Sequence, residues 1–138
     1  MTVQDYTKGG LAITTVTLLA FGVLTLQGVG PQSIYMPIVI GFTVGNAALA
    51  IWLVYRSGGS WQCSDERDKA IEARAHRNGY TFVFAALNAL LLVVVFDDLL
   101  EIDWLGTPAI FHALFLATFG AHFIVLTTQL YYYSRGLE

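Results

Sequence analysis

Residues 9–55 read GGLAITTVTLLAFGVLTLQGVGPQSIYMPIVIGFTVGNAALAIWLVY, 47 positions without a single Asp, Glu, Lys or Arg. As one α-helix this stretch would extend ~70 Å at ~1.5 Å per residue, whereas the hydrocarbon core of a bilayer is about 30 Å thick. It therefore holds two membrane-crossing helices, and the run Gly28-Val29-Gly30-Pro31 supplies the turn between them. Beyond it lie two more uncharged runs, from Asn78 to Phe96 and from Trp104 to Ser134, the second broken only by His112 and His122. Runs of this length are read as membrane spans. The expected fold is all-α: an integral membrane four-helix bundle forming a single domain over residues 1–138, with spans at about 10–26, 35–55, 78–96 and 108–133. Pro37 and Pro108 are placed in first helical turns, where a missing N–H costs least.

Composition agrees and excludes several classes. Hydrophobic residues make up 56% of the chain and charged residues 12%, the latter about half the share in an ordinary soluble domain. No soluble catalytic domain fits this balance. A net charge of −3 leaves no basic patch for direct nucleic-acid binding. The lone cysteine, Cys63, excludes an internal disulfide framework and a multi-cysteine metal site. The first apolar run exceeds the ~7–15 residues of a signal-peptide core, and no small-x-small cleavage site follows it, so it is kept as a span.

Orientation follows from the cations. Lys8, Arg56, Arg67, Lys69, Arg74, Arg77 and Arg135 all fall at one membrane face, and the opposite connections, 28–34 and 97–107, carry none. Basic residues stay on the cytoplasmic side. Both termini and the 56–77 segment are therefore expected in the cytoplasm, in a bacterial cytoplasmic (inner) membrane. Trp52, Tyr55, Tyr80 and Tyr131 to Tyr133 fall at that interface, and Tyr35 and Trp104 at the other, as two aromatic belts.

The cytoplasmic segment opens with the flexible joint Ser57-Gly58-Gly59-Ser60. Ser64 or Asp65 then makes a good N-cap, with acids in the first turn and bases later, as the helix dipole prefers. A helix is expected from about Asp65, continuous with the third span and extended into the cytoplasm by some three turns. It reads either as a solvated extension or as a docking surface for a cytoplasmic protein. On the second reading Trp61, Asp65, Glu66, Arg67, Ile71 and Arg74 are the partner-binding candidates, with the apolar Trp61, Cys63 and Ile71 as anchors. The triplet Asp65-Glu66-Arg67, followed by Ile71, Ala75 and the pair Gly79-Tyr80 entering a span, resembles the loop signature of small bacterial four-helix membrane proteins of the domain-of-unknown-function 2178 type. The resemblance covers about 16 residues (65–80); elsewhere it is a matter of hydropathy and span count. It implies a membrane protein encoded beside a small helix-turn-helix regulator, which it holds or releases, and carries over no catalytic residue.

Within the spans, small residues recur at helical spacing. Gly41 and Gly45 form a G-x-x-x-G, Ala85 and Ala89 follow in the third span, and Ala113, Ala117 and Ala121 in the fourth. Such faces let backbones approach, within the chain or at the seam of a homo-oligomer. Asn46, Asn88 and His122 sit near the centres of three different spans and are expected to converge as an intramembrane polar cluster. No cofactor or metal is called for. His112 and His122 lie ~15 Å apart along one helix and cannot ligate one iron, so haem would require a symmetric dimer pairing His122 with its mate; a bound pigment stays open. The acidic stretch Asp97, Asp98, Glu101, Asp103 marks the outer boundary or holds a divalent ion or partner.

The expected function is non-catalytic: a membrane interaction or regulatory protein, docking a cytoplasmic partner such as a transcription regulator. The alternative is an accessory subunit of a larger respiratory or photosynthetic membrane complex. A small-molecule or ion transporter ranks lower, because no acid lies mid-span, and an enzyme lowest. The orientation is checked on Cys63. A membrane-impermeant maleimide should label it in inverted membrane vesicles and leave it untouched in intact cells; labelling from outside would reverse the topology.

Overall fold

The structure, a computed structural model, describes residues 3–28, 31–56, 65–100 and 106–135. They form four helices, α1 (Val3–Leu26), α2 (Pro31–Arg56), α3 (Glu66–Leu100) and α4 (Thr107–Arg135), each long and apolar enough to cross a membrane. The protein is an all-α integral membrane protein.

Each helix end has a local cause. Gly28 takes a left-handed φ of 72°, which costs a glycine little, and its N–H bonds the Thr25 carbonyl at 3.0 Å to close α1. Asp65, one of the two expected caps, caps α3: its Oδ1 accepts from the Asp68 N–H at 2.7 Å, while Asp68 Oδ2 accepts from the Asp65 N–H at 3.3 Å. This reciprocal pair is a capping box with Asp in the third position. The Gly106 carbonyl accepts the Ala109 N–H at 2.9 Å and starts α4.

Two expected boundaries move. α2 begins at Pro31, so Pro37 lies inside the helix and not in its first turn. Pro31 occupies the position where the missing N–H is harmless, and Pro37 instead removes one interior hydrogen bond. α3 runs to Leu100, so Asp97 and Asp98 belong to its last turn and not to a loop. The 35-residue α3 is ~52 Å long at ~1.5 Å per residue, well beyond the ~30 Å a span needs.

The bundle is organised around α4. α3 packs along α4 more extensively than any other pair, α1 packs on both α2 and α4, and α2 touches α4 lightly. The α3–α4 seam follows Ile71, Ala75 and Gly79, all buried at steps of four, with Ala121 of α4 lying against Gly79. At Gly79 the helices come closest: a Cβ there would lie 2.5 Å from Val125 Cγ2 and 3.3 Å from the Ala121 carbonyl oxygen. Gly120 likewise leaves room for the Phe82 ring. Toward the acidic end, α1, α2 and α4 share an aromatic core. Phe21 stacks on Phe115 at 4.0 Å, Phe115 on Phe119 at 4.2 Å, and Tyr35 meets Phe115 edge-on at 5.4 Å. Such pairs contribute about 0.5–1.5 kcal/mol each beyond the area they bury. The Tyr35 hydroxyl donates to the Phe111 carbonyl, fastening α2 to α4.

Gly79 sets the α3–α4 distance. Gly79→Leu should lower stability in detergent by about 1–3 kcal/mol through overpacking, read as a drop in thermal midpoint. Gly22→Ala, with nothing within 4 Å of the added Cβ, should leave that midpoint unchanged or raise it.

Candidate functional site

The described part of the candidate docking segment is rigid, and α4 makes it so. Ile71 and Ala75 are fully buried at 0% exposure, covered by the basic end of the neighbouring helix. The Arg74 guanidinium lies 5.5 Å from the centre of the Tyr132 ring, a cation–π contact worth about 0.5–1 kcal/mol at an exposed site. The Tyr133 phenol is hydrogen-bonded to the Asp68 carboxylate, and Arg135 stacks over Tyr131 at 5.7 Å. The segment is thus one half of an antiparallel helix pair at the basic end, not a lone extension of α3.

This corrects the role expected of Ile71. It is no surface anchor for a partner, because α4 already occupies it. Its spacing of four from Ala75 and of eight from Gly79 was the available signal, and only the presence of α4 at the same height reveals what the stripe faces. Glu66 and Arg67 are exposed as expected, along with Lys69, Glu72, His76 and Arg77. Glu72 and His76 approach to 3.6 Å one turn apart. Asp65 is exposed but committed to the cap, and Arg74 is committed to Tyr132. Trp61 and Cys63 lie outside the described residues. What the described segment offers a partner is a mixed-charge face on a braced helix.

The expected polar cluster does not assemble. The Asn88 side chain is exposed on α3 and donates to the Phe84 carbonyl of its own helix at 2.7 Å; at 100° per residue it lies almost opposite the buried Ile71–Ala75–Gly79 line. Asn46 is half-buried and donates to the Phe42 carbonyl at 2.9 Å, again within its helix. His122 packs edge-on against the Phe42 ring at 5.6 Å. So Asn46 and His122 both adjoin Phe42, and Asn88 is on the outside of the bundle. The physical reason is general: a short polar side chain can bond the carbonyl four residues back and needs no partner on another helix. Thr14, Thr15, Thr17, Thr43, Thr81, Thr118 and Thr127 all do so. A side-chain polar contact between helices lies elsewhere, where the Thr7 hydroxyl of α1 donates to Gln129 Oε1 of α4 at 3.1 Å.

The small-residue faces divide similarly. Ala117 and Ala121 are buried, Ala121 against Gly79 of α3, and Ala113 is half-buried. Ala85 and Ala89 are exposed, because the seam continues through Ala86 and Leu90, which are half-buried. Gly45 meets Ile13 of α1, whereas a Cβ at Gly41 would meet nothing within 4 Å. Gly9, Gly79 and Gly120 make closer helix approaches than any glycine the spacing singled out. His112 joins the aromatic core, 5.3 Å from Phe21, and its Nε2 and Thr25 Oγ1 are buried without a hydrogen-bond partner among the described residues. Asp97 is half-buried; Glu101 and Asp103 lie outside the described residues. Among the described residues no group of three His, Cys, Asp or Glu is placed to hold a metal ion.

Compared with known protein families, curated proteins and solved structures, the chain matches none. The class is therefore set by the fold alone: a four-span integral membrane protein with a braced, charged projection.

Ile71→Ala should cost about 2–5 kcal/mol, as for other fully buried large-to-small changes. The loss should be local, seen as faster hydrogen exchange of amides 66–77 with protection in 80–90 retained.

Proposed function

We propose that the protein is a non-catalytic membrane interaction protein that presents the projecting end of α3, braced by α4, to a cytoplasmic protein partner. One observation supports this above others: Ile71 and Ala75 are fully buried against α4, so the exposed charges of 66–77 are held on a rigid support. A solvated tail would have to be ordered on binding, at a cost in affinity; a braced helix is ordered in advance. Mixed charge suits specificity and encounter rate more than raw affinity. A transcription regulator as partner rests on the resemblance of residues 65–80 alone, and a bacterial inner-membrane location on the distribution of Lys and Arg.

The test is capture. A photo-crosslinking residue at Glu66 or Lys69 in the full chain should trap a cytoplasmic protein, and the double reversal Arg67→Glu, Lys69→Glu should abolish the adduct while the thermal midpoint holds. Adducts unaffected by the reversal would sink the docking reading.

A second reading, as an accessory subunit of a larger membrane complex, is favoured by one feature. Residues 91–96 of α3 are all exposed, from 38% at Val94 to 60% at Leu91, so the described neighbours leave this apolar stretch incompletely covered. Purification in mild detergent distinguishes the two: a large assembly co-eluting through a Leu92→Trp-sensitive contact favours the subunit reading.

A further inference from the structure

The α1–α2 seam opens into two clefts. One, of about 450 Å³, lies at the basic end and is lined by Asp5, Lys8, Trp52 and Arg56 among others. The other, of about 520 Å³, lies deeper and is apolar, with Ala12, Val16 and Ala20 on α1 facing Pro37, Gly41 and Gly45 on α2. Their linings interlock in register. On α1 they occupy positions 5, 8–9, 12–13, 16–17 and 20, and on α2 positions 56, 52–53, 49, 45, 41–42 and 37–38. Each step is three or four residues, so the clefts succeed one another turn by turn along one seam. From Lys8 to Ala20 the path is ~18 Å at ~1.5 Å per residue, about the depth of one leaflet.

The chemistry changes along that path as it does along a phospholipid. Lys8 and Arg56 are the charged residues that bound the uncharged run 9–55, and so stand where the headgroup layer begins. Both are exposed, and Arg56 lies 5.2 Å over the Trp52 ring, which holds the guanidinium at the interface. Two cations beside Asp5, which has an interaction of its own, leave one net positive charge at the mouth, the complement of a single phosphodiester. Below it the trough is open: Val16 is 65% exposed, and Gly41 has no neighbour on its outer side.

We infer that this seam is a binding site for a glycerophospholipid, its phosphate held by Lys8 and Arg56 and an acyl chain laid against Ala12, Val16 and Gly41. Of the G-x-x-x-G of α2, Gly41 then serves a lipid chain, while Gly45 packs on Ile13 of α1. The inference is independent of the docking proposal, since it uses neither α3 nor the end of α4.

Native mass spectrometry of the purified full chain tests it, with dioleoyl phosphatidylglycerol, dioleoylglycerol and inorganic phosphate as probes. The expected result is one phospholipid retained per chain, at least tenfold less dioleoylglycerol retained, and no displacement by millimolar phosphate. Lys8→Gln with Arg56→Gln should reduce phospholipid retention at least tenfold. Gly41→Phe, which fills open space, should do the same with the cations intact, and keeps the test decisive if the double variant unfolds. Equal retention of dioleoylglycerol, displacement by inorganic phosphate, or unchanged retention in a folded variant would each overturn the site.

Discussion

The arrangement depends on how closely α3 can lie on α4, and the crossing at Gly79 sets that distance. With Val125 and the Ala121 carbonyl pressed against a residue that has no side chain, the two backbones run together, and the seam continues down through Ala75 and Ile71. In lipid there is little hydrophobic gain in moving an apolar side chain from acyl chains to another helix. Close van der Waals packing is what selects one arrangement over another. α4 then carries α3 on one side and α1 on another, and its aromatic face receives Phe21 and Tyr35.

The same seam joins the membrane domain to the region outside it. Because α4 extends as far as Arg135, it covers the extension of α3 for its described length. Burial of Ile71, the stacking of Arg74 on Tyr132 and the Tyr133–Asp68 bond are three contacts on one short stretch. Together they turn a charged helical extension, which alone would fray, into a fixed platform. The brace is the structural fact on which the proposed interaction role rests.

α1 and α2 show the opposite behaviour. Their contact is close at Gly9 and Gly45 but leaves an open trough beside it. Small residues in a membrane helix permit close approach without compelling it. Whether the space is taken by a helix, as at Gly79, or left to a lipid chain, as at Gly41, depends on what the partner helix presents at that height.

Charge-free length, a Gly/Pro turn signal and cap chemistry were enough, in the sequence alone, to determine four helices, a turn within 28–31, a cap at Ser64 or Asp65 and the continuity of the helix that follows it with the third span. These are one-dimensional matters: a backbone in hydrocarbon must bond to itself, and left-handed φ and N-caps name their residues. The rotation of each helix was not legible. A helix apolar on all sides has no polar face to orient it, since lipid and core are equally apolar, so Ala85 and Ala86, or Gly41 and Gly45, look alike until a neighbour is in place. The mid-span asparagines misled for a related reason, because Asn46 and Asn88 satisfy themselves on the preceding turn and exert no pull toward the interior. Which side of α3 is covered, that Ile71 is core and Asn88 is surface, was decided by tertiary structure alone, because steric fit between helices is a property of pairs and not of any one stretch of sequence.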